Sequence, residues 1–318
     1  MYDVIIIGAG PAGITSAVYA ARKMMNGLII SKDIGGQSSI AWNVENYEGY
    51  QFITASELVK KFDDHVKEFD IELRQGEQVT SIQRTNNYFI VSTADQRFET
   101  LSVIIATGRK PKTLDVAGER EYIGRGVSYC ATCDAPFFSE KTVAVVGGGN
   151  AALHAIIQLI SLAKKIFVIN IADELTGDST LIRKVEKSDK VSILNNTEIK
   201  SISGNSTVKN IIVRSENLEE KTFSVDGVLI EIGSEPELIA IKDTDYSLDL
   251  NEYNEIRVNN HAETSIPGLF AAGDVTNIPE KQIIIASGQG CMAGLSAYKY
   301  VKKKETDKKE KITTNQSA

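Results

Sequence analysis

The chain repeats one pattern twice: a continuous apolar strand, a glycine turn, and a helix of small residues. The first copy is Asp3-Val4-Ile5-Ile6-Ile7-Gly8-Ala9-Gly10-Pro11-Ala12-Gly13, opening into Ile14 through Ala21. The second is Thr142-Val143-Ala144-Val145-Val146-Gly147-Gly148-Gly149-Asn150-Ala151-Ala152, opening into Leu153 through Ile160. Strands apolar on both faces belong in parallel sheets covered by helices, and strand, glycine loop and helix together make a dinucleotide-binding βαβ unit. An α/β fold with two Rossmann-like domains is therefore expected.

The rest of the chain suggests how the two are joined. Each unit continues into a second apolar strand, Leu28-Ile29-Ile30 and Ile166-Phe167-Val168-Ile169, and Tyr88 to Val91 and Val103 to Ala106 read as strands between the loops. Arg109 to Lys112 looks like a crossing into the second unit. Near Ser247 the character changes again, and Gly268 to Asp274 reads as a buried strand ending in a glycine turn. The second domain, residues 113–247, is expected to be inserted into a first domain made of 1–112 and 248–318. The length of 318 residues suits two domains of ordinary size. From Lys302 onward a frayed helix end and a solvated tail are expected.

Lys plus Arg is 35 and Asp plus Glu is 42, a net charge of −7, which disfavours nucleic acid as the main partner. The start carries an acid and no basic region, unlike a signal peptide. No apolar run approaches the ~20 residues that span a bilayer. A soluble, cytoplasmic protein is expected.

In the first loop, Gly8 permits the tight turn, Gly10 lets the backbone approach a diphosphate, and Gly13 lets the helix pack on the strand. The helix N-terminus then receives the diphosphate on its N–H groups. In the second loop Ala152 takes the third small position. Two loops suit one bound flavin dinucleotide and one exchangeable nicotinamide dinucleotide.

There are 3 cysteines. Cys130-Ala131-Thr132-Cys133 can close a local disulfide or offer two ligands to a metal. A structural zinc site would have to draw on Cys291, His65, His154 or His261, none at finger-like spacing, so no metal site is assigned. An unreactive buried pair is a further alternative, but Asp134 immediately after Cys133 favours chemistry. Cys291 reads as a small packed residue at a helix start.

Ile104-Ile105-Ala106-Thr107-Gly108, Cys130-Ala131-Thr132-Cys133-Asp134 and Ala271-Ala272-Gly273-Asp274 occur in that order among the two glycine loops. This pattern, from about Met1 to Val301, closely resembles the low-molecular-weight thioredoxin reductases, which are FAD-dependent disulfide reductases. Lys281-Gln282-Ile283-Ile284-Ile285-Ala286 is also similar to the flavoprotein subunit of alkyl hydroperoxide reductase. The resemblance implies that Gly8, Gly10, Ala12 and Gly13 hold the FAD diphosphate. Gly36, Gln37 and Asn46 match positions near the flavin, as do Thr107 and Gly108. Gly273 and Asp274 match the motif that bonds the ribityl and phosphate region. Gln282, with Lys281 and Ile283 beside it, matches a residue next to the isoalloxazine ring. On the nicotinamide side it points to Gly147, Gly149, Asn150, Ala151 and Ala152.

The same resemblance implies the redox roles. Cys133 is the sulfur facing the flavin, Cys130 the one that attacks a partner's disulfide, and Asp134 the acid–base group, provided burial raises its pKa. Its alternative role is a turn or helix N-cap acceptor. The family alternates disulfide and nicotinamide at the flavin by rotating the inserted domain, which would make the crossings near Lys112 and Ser247 hinges. Its partners are a thioredoxin, a glutaredoxin-like protein or a peroxiredoxin system, and its assembly is a homodimer.

One stretch departs from the pattern. NADPH-dependent members carry a basic cluster after the second strand of this domain; here it reads Asn170-Ile171-Ala172-Asp173-Glu174-Leu175, with Asp178 beyond and Arg183 the nearest arginine. Acidic groups repel a 2′-phosphate, and Asn170 is only a neutral substitute for the acid that bonds an NADH ribose. The family's paired Glu in the loop helix is replaced by His154 and Ala155. The donor is thus read as NADH or NADPH with the charges favouring NADH. Weak use of NADPH, a different carrier such as a ferredoxin, and a flavin redox sensor without turnover are the alternatives.

Overall fold

The computed structural model describes residues 1–40, 43–242 and 246–316. Two parallel sheets organise it, each growing from one of the glycine units. In the first, the opening strand Tyr2–Ala9 lies between Gly27–Ile34 and Arg97–Ile105, parallel to both, with Ile5 opposite Leu28 on one side and Val103 on the other. Val4, Ile5 and Ile6 are completely buried, as expected of strands covered on both faces. Glu72–Gln75 extends one edge, and the meander of Arg97–Ile105, Phe89–Ser92 and Ser81–Arg84 extends the other. Leu269–Ala271 joins late, parallel to Arg97–Ile105. The fold is therefore α/β, with two Rossmann-like units, the second inserted in the first.

Helix Pro11–Arg22 packs against the first sheet and against the last helix. The two helices approach closely because Gly290 faces the carbonyl of Ala12, where a Cβ would collide with it. The Ser16 hydroxyl donates to Gly290 O at 2.9 Å, tying them together. Burying such small residues costs little side-chain entropy and lets backbones meet.

The second sheet has the order Val127–Ser128, Gly227–Ile230, Thr142–Val146, Lys165–Ile169, Val191–Leu194. All its pairs are parallel. Against it lies an antiparallel three-stranded sheet, Thr197–Gly204, Val208–Ser215 and Glu220–Ser224. Alternation in these strands is irregular, and they carry no motif, so composition alone does not signal this layer.

The two crossings lie side by side. Arg109–Pro111 runs antiparallel to Ser234–Pro236, and Lys112 N–H donates to Gly233 O at 3.0 Å. The chain then rejoins the first sheet through Ala240–Lys242, parallel to Ser81–Gln83. This return precedes the change of character near Ser247. Short edge pairing through backbone groups leaves little trace in side-chain composition, which is why the composition shift marks it late.

The last helix runs from Ile283 to Gln316, through the lysine-rich stretch expected to fray. Lys and Glu are good helix formers, and Lys302 pairs with Glu305 at 2.7 Å three residues on. Among the described residues, no helix is long and apolar enough to cross a membrane.

Candidate functional site

A cleft of about 840 Å³ opens along the carboxyl ends of the first sheet and reaches the second unit. Its floor is the first glycine loop. Gly8 has φ +105°, and a Cβ there would strike Ala106 O. Gly13 lies behind the loop: a Cβ on it would strike Gly8 O, so only glycine lets this helix seat against its strand. At Gly10 the nearest atom to such a Cβ is Gly35 O at 3.9 Å, leaving the backbone bare toward the cleft. Gly10 is the N-cap of helix Pro11–Arg22 and no side chain caps it, so the first N–H groups remain available.

Most of the expected flavin-side residues line this one cleft: Gly8, Gly10 and Ala12 from the loop, Gly36, Gln37 and Asn46, Thr107 and Gly108, Gly273 and Asp274, and Lys281, Gln282 and Ile283. Asn46 Nδ2 donates to Gln282 Oε1 at 3.0 Å, joining positions far apart in sequence. Gln37 donates to Arg109 O at 2.5 Å, and Thr107 to Glu237 O at 2.6 Å, so both side chains brace the crossings as well as line the cleft. Lys281 spends its ammonium on Thr276 O, Ile278 O and Glu255 at 2.6 to 3.1 Å. Its charge therefore braces the turn that carries Gln282.

Asp274 is different. Among the described residues its carboxyl makes no hydrogen bond, and burial pushes its pKa up, opposed by the charges of Lys281 and Arg109. It is half-buried and lines the cleft, where sugar or ribityl hydroxyls would supply a donor. The bare backbone at Gly10, the uncapped helix end and the waiting carboxyl of Asp274 fit an FAD.

Cys130 and Cys133 reach the same cleft, joined in a disulfide with their Cα atoms 5.3 Å apart. Cys130 caps the short helix Ala131–Asp134 that contains Cys133, its Sγ accepting the Cys133 N–H at 3.2 Å. Asp134 lines the cleft beside them. Its Oδ2 accepts the Ser128 hydroxyl at 2.5 Å, while Oδ1 is buried without a partner. Burial raises its pKa and the Ser128 bond opposes that rise. A carboxyl whose pKa burial raises keeps its proton to higher pH and is suited to hand it to a thiolate. Ser128 carries no signal in the sequence, but its place two residues before Cys130 makes its role intelligible: it also accepts Cys130 N–H at 3.1 Å.

Asp134→Asn is expected to lower disulfide turnover by about a hundredfold at neutral pH while leaving bound flavin in place. The folded state holds the Asp134 proton at pH values where the unfolded chain has lost it, so stability falls as pH rises across that window. The Asn variant should lose this fall in a pH series of thermal melts.

The second glycine loop stands apart. Of its expected residues, only Ala151 touches the main cleft. Gly149 caps helix Asn150–Ile160 with no side-chain bond, and a Cβ there would meet nothing within 4 Å, so this helix end is also open. Ala152 is fully buried against the sheet, and a Cβ on Gly147 would meet its methyl group at 3.2 Å. Asn150 Oδ1 accepts the Asp178 N–H at 2.7 Å, holding the following loop. Asn170 is 3% exposed, and its amide nitrogen donates to Ala172 O, Glu174 O and Asn195 Oδ1. It holds its own loop rather than reaching outward. Arg183 donates to Ser179 O of its own helix at 3.2 Å. His154 is exposed on the loop helix. Cys291 lies inside the last helix, half-buried beside the Tyr19 hydroxyl.

A disulfide held against a dinucleotide cradle, with a carboxyl of raised pKa at its side, defines a site for exchanging electron pairs between a cofactor and a dithiol. The family model of the pyridine nucleotide-disulphide oxidoreductases matches residues 2–290, and the chain belongs to that family. Among solved structures, it is similar to thioredoxin reductase from Streptococcus pyogenes MGAS5005, with 37% identity, a TM-score of 0.89, and coverage of 95% of this chain and 99% of that one. Among curated proteins it is similar to an alkyl hydroperoxide reductase subunit of Staphylococcus aureus (strain MRSA252), 36% identical over 94% of this chain and 59% of the relative. It is also 34% identical to a NADH dehydrogenase of Bacillus subtilis (strain 168), over 94% of this chain and 58% of the relative. The chain thus spans little more than half the length of these curated relatives.

Proposed function

We propose that this protein is a flavin disulfide reductase that takes electron pairs from a nicotinamide dinucleotide, NADH in preference to NADPH. It delivers them through the Cys130–Cys133 pair to the disulfide of a thioredoxin-like or peroxiredoxin-type protein. The observation that carries this reading is the shared cleft: the redox disulfide and Asp134 line the same space as Gly10 and Asp274. The likeness to a thioredoxin reductase and to an alkyl hydroperoxide reductase subunit supports the two partner classes.

Bound FAD would supply two-electron transfer between nicotinamide and disulfide. The chain's own groups do the rest. Once the pair is reduced, a thiolate at Cys130 can keep the Cys133 N–H as donor. That thiolate attacks one sulfur of the partner's disulfide, forming a mixed disulfide and releasing a partner thiolate. Asp134, its pKa raised by burial, gives that thiolate a proton. Cys133 sulfur then attacks Cys130 sulfur, closing the intrachain disulfide and releasing the partner's second sulfur.

The donor preference rests on the loop after Lys165–Ile169. Ile171 is 78% exposed where a phosphate-binding cation would be useful, and Asp173 and Glu174 follow it. No basic group in that stretch offers itself to a 2′-phosphate. Alternation of disulfide and nicotinamide at the flavin would turn on the paired crossings Arg109–Pro111 and Ser234–Pro236, with residues 113–233 as the moving body. The test is an anaerobic titration of the flavin-loaded protein with NADH and, separately, NADPH. NADH should bleach the flavin at concentrations at least about tenfold below NADPH. Equal efficiency would remove the charge argument, and bleaching by neither would favour a carrier such as ferredoxin.

A further inference from the structure

One half-buried acid of the cleft takes no part in these steps. Glu231 follows strand Gly227–Ile230 and lines the cleft with both cysteines. Its backbone packs against the second glycine loop: its N–H donates to Val146 O at 2.8 Å, and its carbonyl lies where a Cβ on Gly147 would point. Its side chain turns the other way. Oε1 accepts the N–H of Ala131, the residue immediately after Cys130, at 3.0 Å. Among the described residues the carboxyl has no ion-pair partner.

We propose that Glu231 is a positioning residue for the dithiol, holding the redox helix from the nucleotide loop and setting by its own charge how readily the reduced cysteines ionise. This deepens the disulfide-reductase reading and rests on it. The geometry makes Glu231 a link between the second loop, which its backbone meets at Val146 and Gly147, and the Cys130–Cys133 segment, which its carboxyl meets at Ala131. A negative charge so close to two thiols disfavours a second negative charge on sulfur. Burial, opposed only by the Ala131 bond, raises its pKa to about 7, so the charge changes within the working range. The titratable neighbours on the redox segment are Tyr129, Cys130, Cys133 and Asp134; Val146 and Gly147 bring none.

The test is the rate at which iodoacetamide alkylates the dithionite-reduced, flavin-loaded protein between about pH 5 and about pH 9. The wild type should show, besides thiol ionisation, an inflection near pH 7 as Glu231 gains its charge. Glu231→Gln keeps an acceptor for Ala131 N–H but carries no charge. It should lose that inflection and alkylate about three- to tenfold faster above it, since one pKa unit is a factor of ten. Glu231→Ala, lacking the acceptor as well, should also reduce partner turnover, with Gln restoring most of it. A Gln profile superimposed on the wild type would overturn the charge role, and Ala turnover equal to wild type would overturn the positioning role. Alkylation needs neither nicotinamide nor partner. A protein that reduces no disulfide would therefore sink the reductase reading, and the positioning role with it, without disturbing the alkylation test of the charge role.

Discussion

Cys133→Ser should reduce disulfide turnover by about a thousandfold or more, because a serine hydroxyl cannot close or open the bond that stores the electron pair. The same variant should still purify yellow. Neither Gly10 nor Asp274 is touched, and the bridge spans a sequence separation of only 3, too short a loop to anchor the fold. Steady-state reduction of a thioredoxin disulfide, set beside the flavin absorbance of the same preparation, separates loss of chemistry from loss of cofactor. Turnover undiminished in Cys133→Ser would sink the assignment, since the sole other cysteine, Cys291, sits inside the last helix beside Tyr19.

Gly13→Val is expected to fail earlier, at cofactor retention. A Cβ at Gly13 would strike Gly8 O, and neither partner is a flexible side-chain tip: one is a loop carbonyl, the other the helix that presents its N-terminus to the cleft. Helix and strand must move apart, at a cost of about 3 kcal/mol from overpacking and loss of the bare approach at Gly10. The protein should be isolated largely without flavin and melt lower. Gly288→Ala is the control: a Cβ there meets nothing within 4 Å, and a helical glycine replaced by alanine gains about 0.5–1 kcal/mol. If Gly13→Val kept its flavin and melting temperature, the loop would not be the cradle described above.

Features built on backbone approach and local spacing were legible in the sequence. Gly8 and Gly13 declare a strand, turn and helix because no other residue fits those contacts, and Cys130 and Cys133 are close enough to bridge wherever the segment goes. Features built from distant segments were hidden. Nothing near Glu231 announces that its carboxyl meets Ala131, a residue 100 positions away. The crossing at Ser234–Pro236 is made by backbone pairing with Arg109–Pro111, to which side-chain patterns are nearly blind. Asn170 shows a third case: its place at a strand end suggests a ribose contact, but a side chain with several hydrogen-bonding groups can equally well satisfy its own loop, and here it does.

The most direct measurement of the central claim is the number of electron pairs the protein accepts in an anaerobic titration with NADH, followed by flavin absorbance and thiol count. Electrons that pass through the flavin to the Cys130–Cys133 disulfide should expose two new thiols per chain before the flavin stays bleached, and Cys133→Ser should bleach at the first equivalent. Bleaching of the wild type at the first equivalent, with its disulfide intact, would contradict the account.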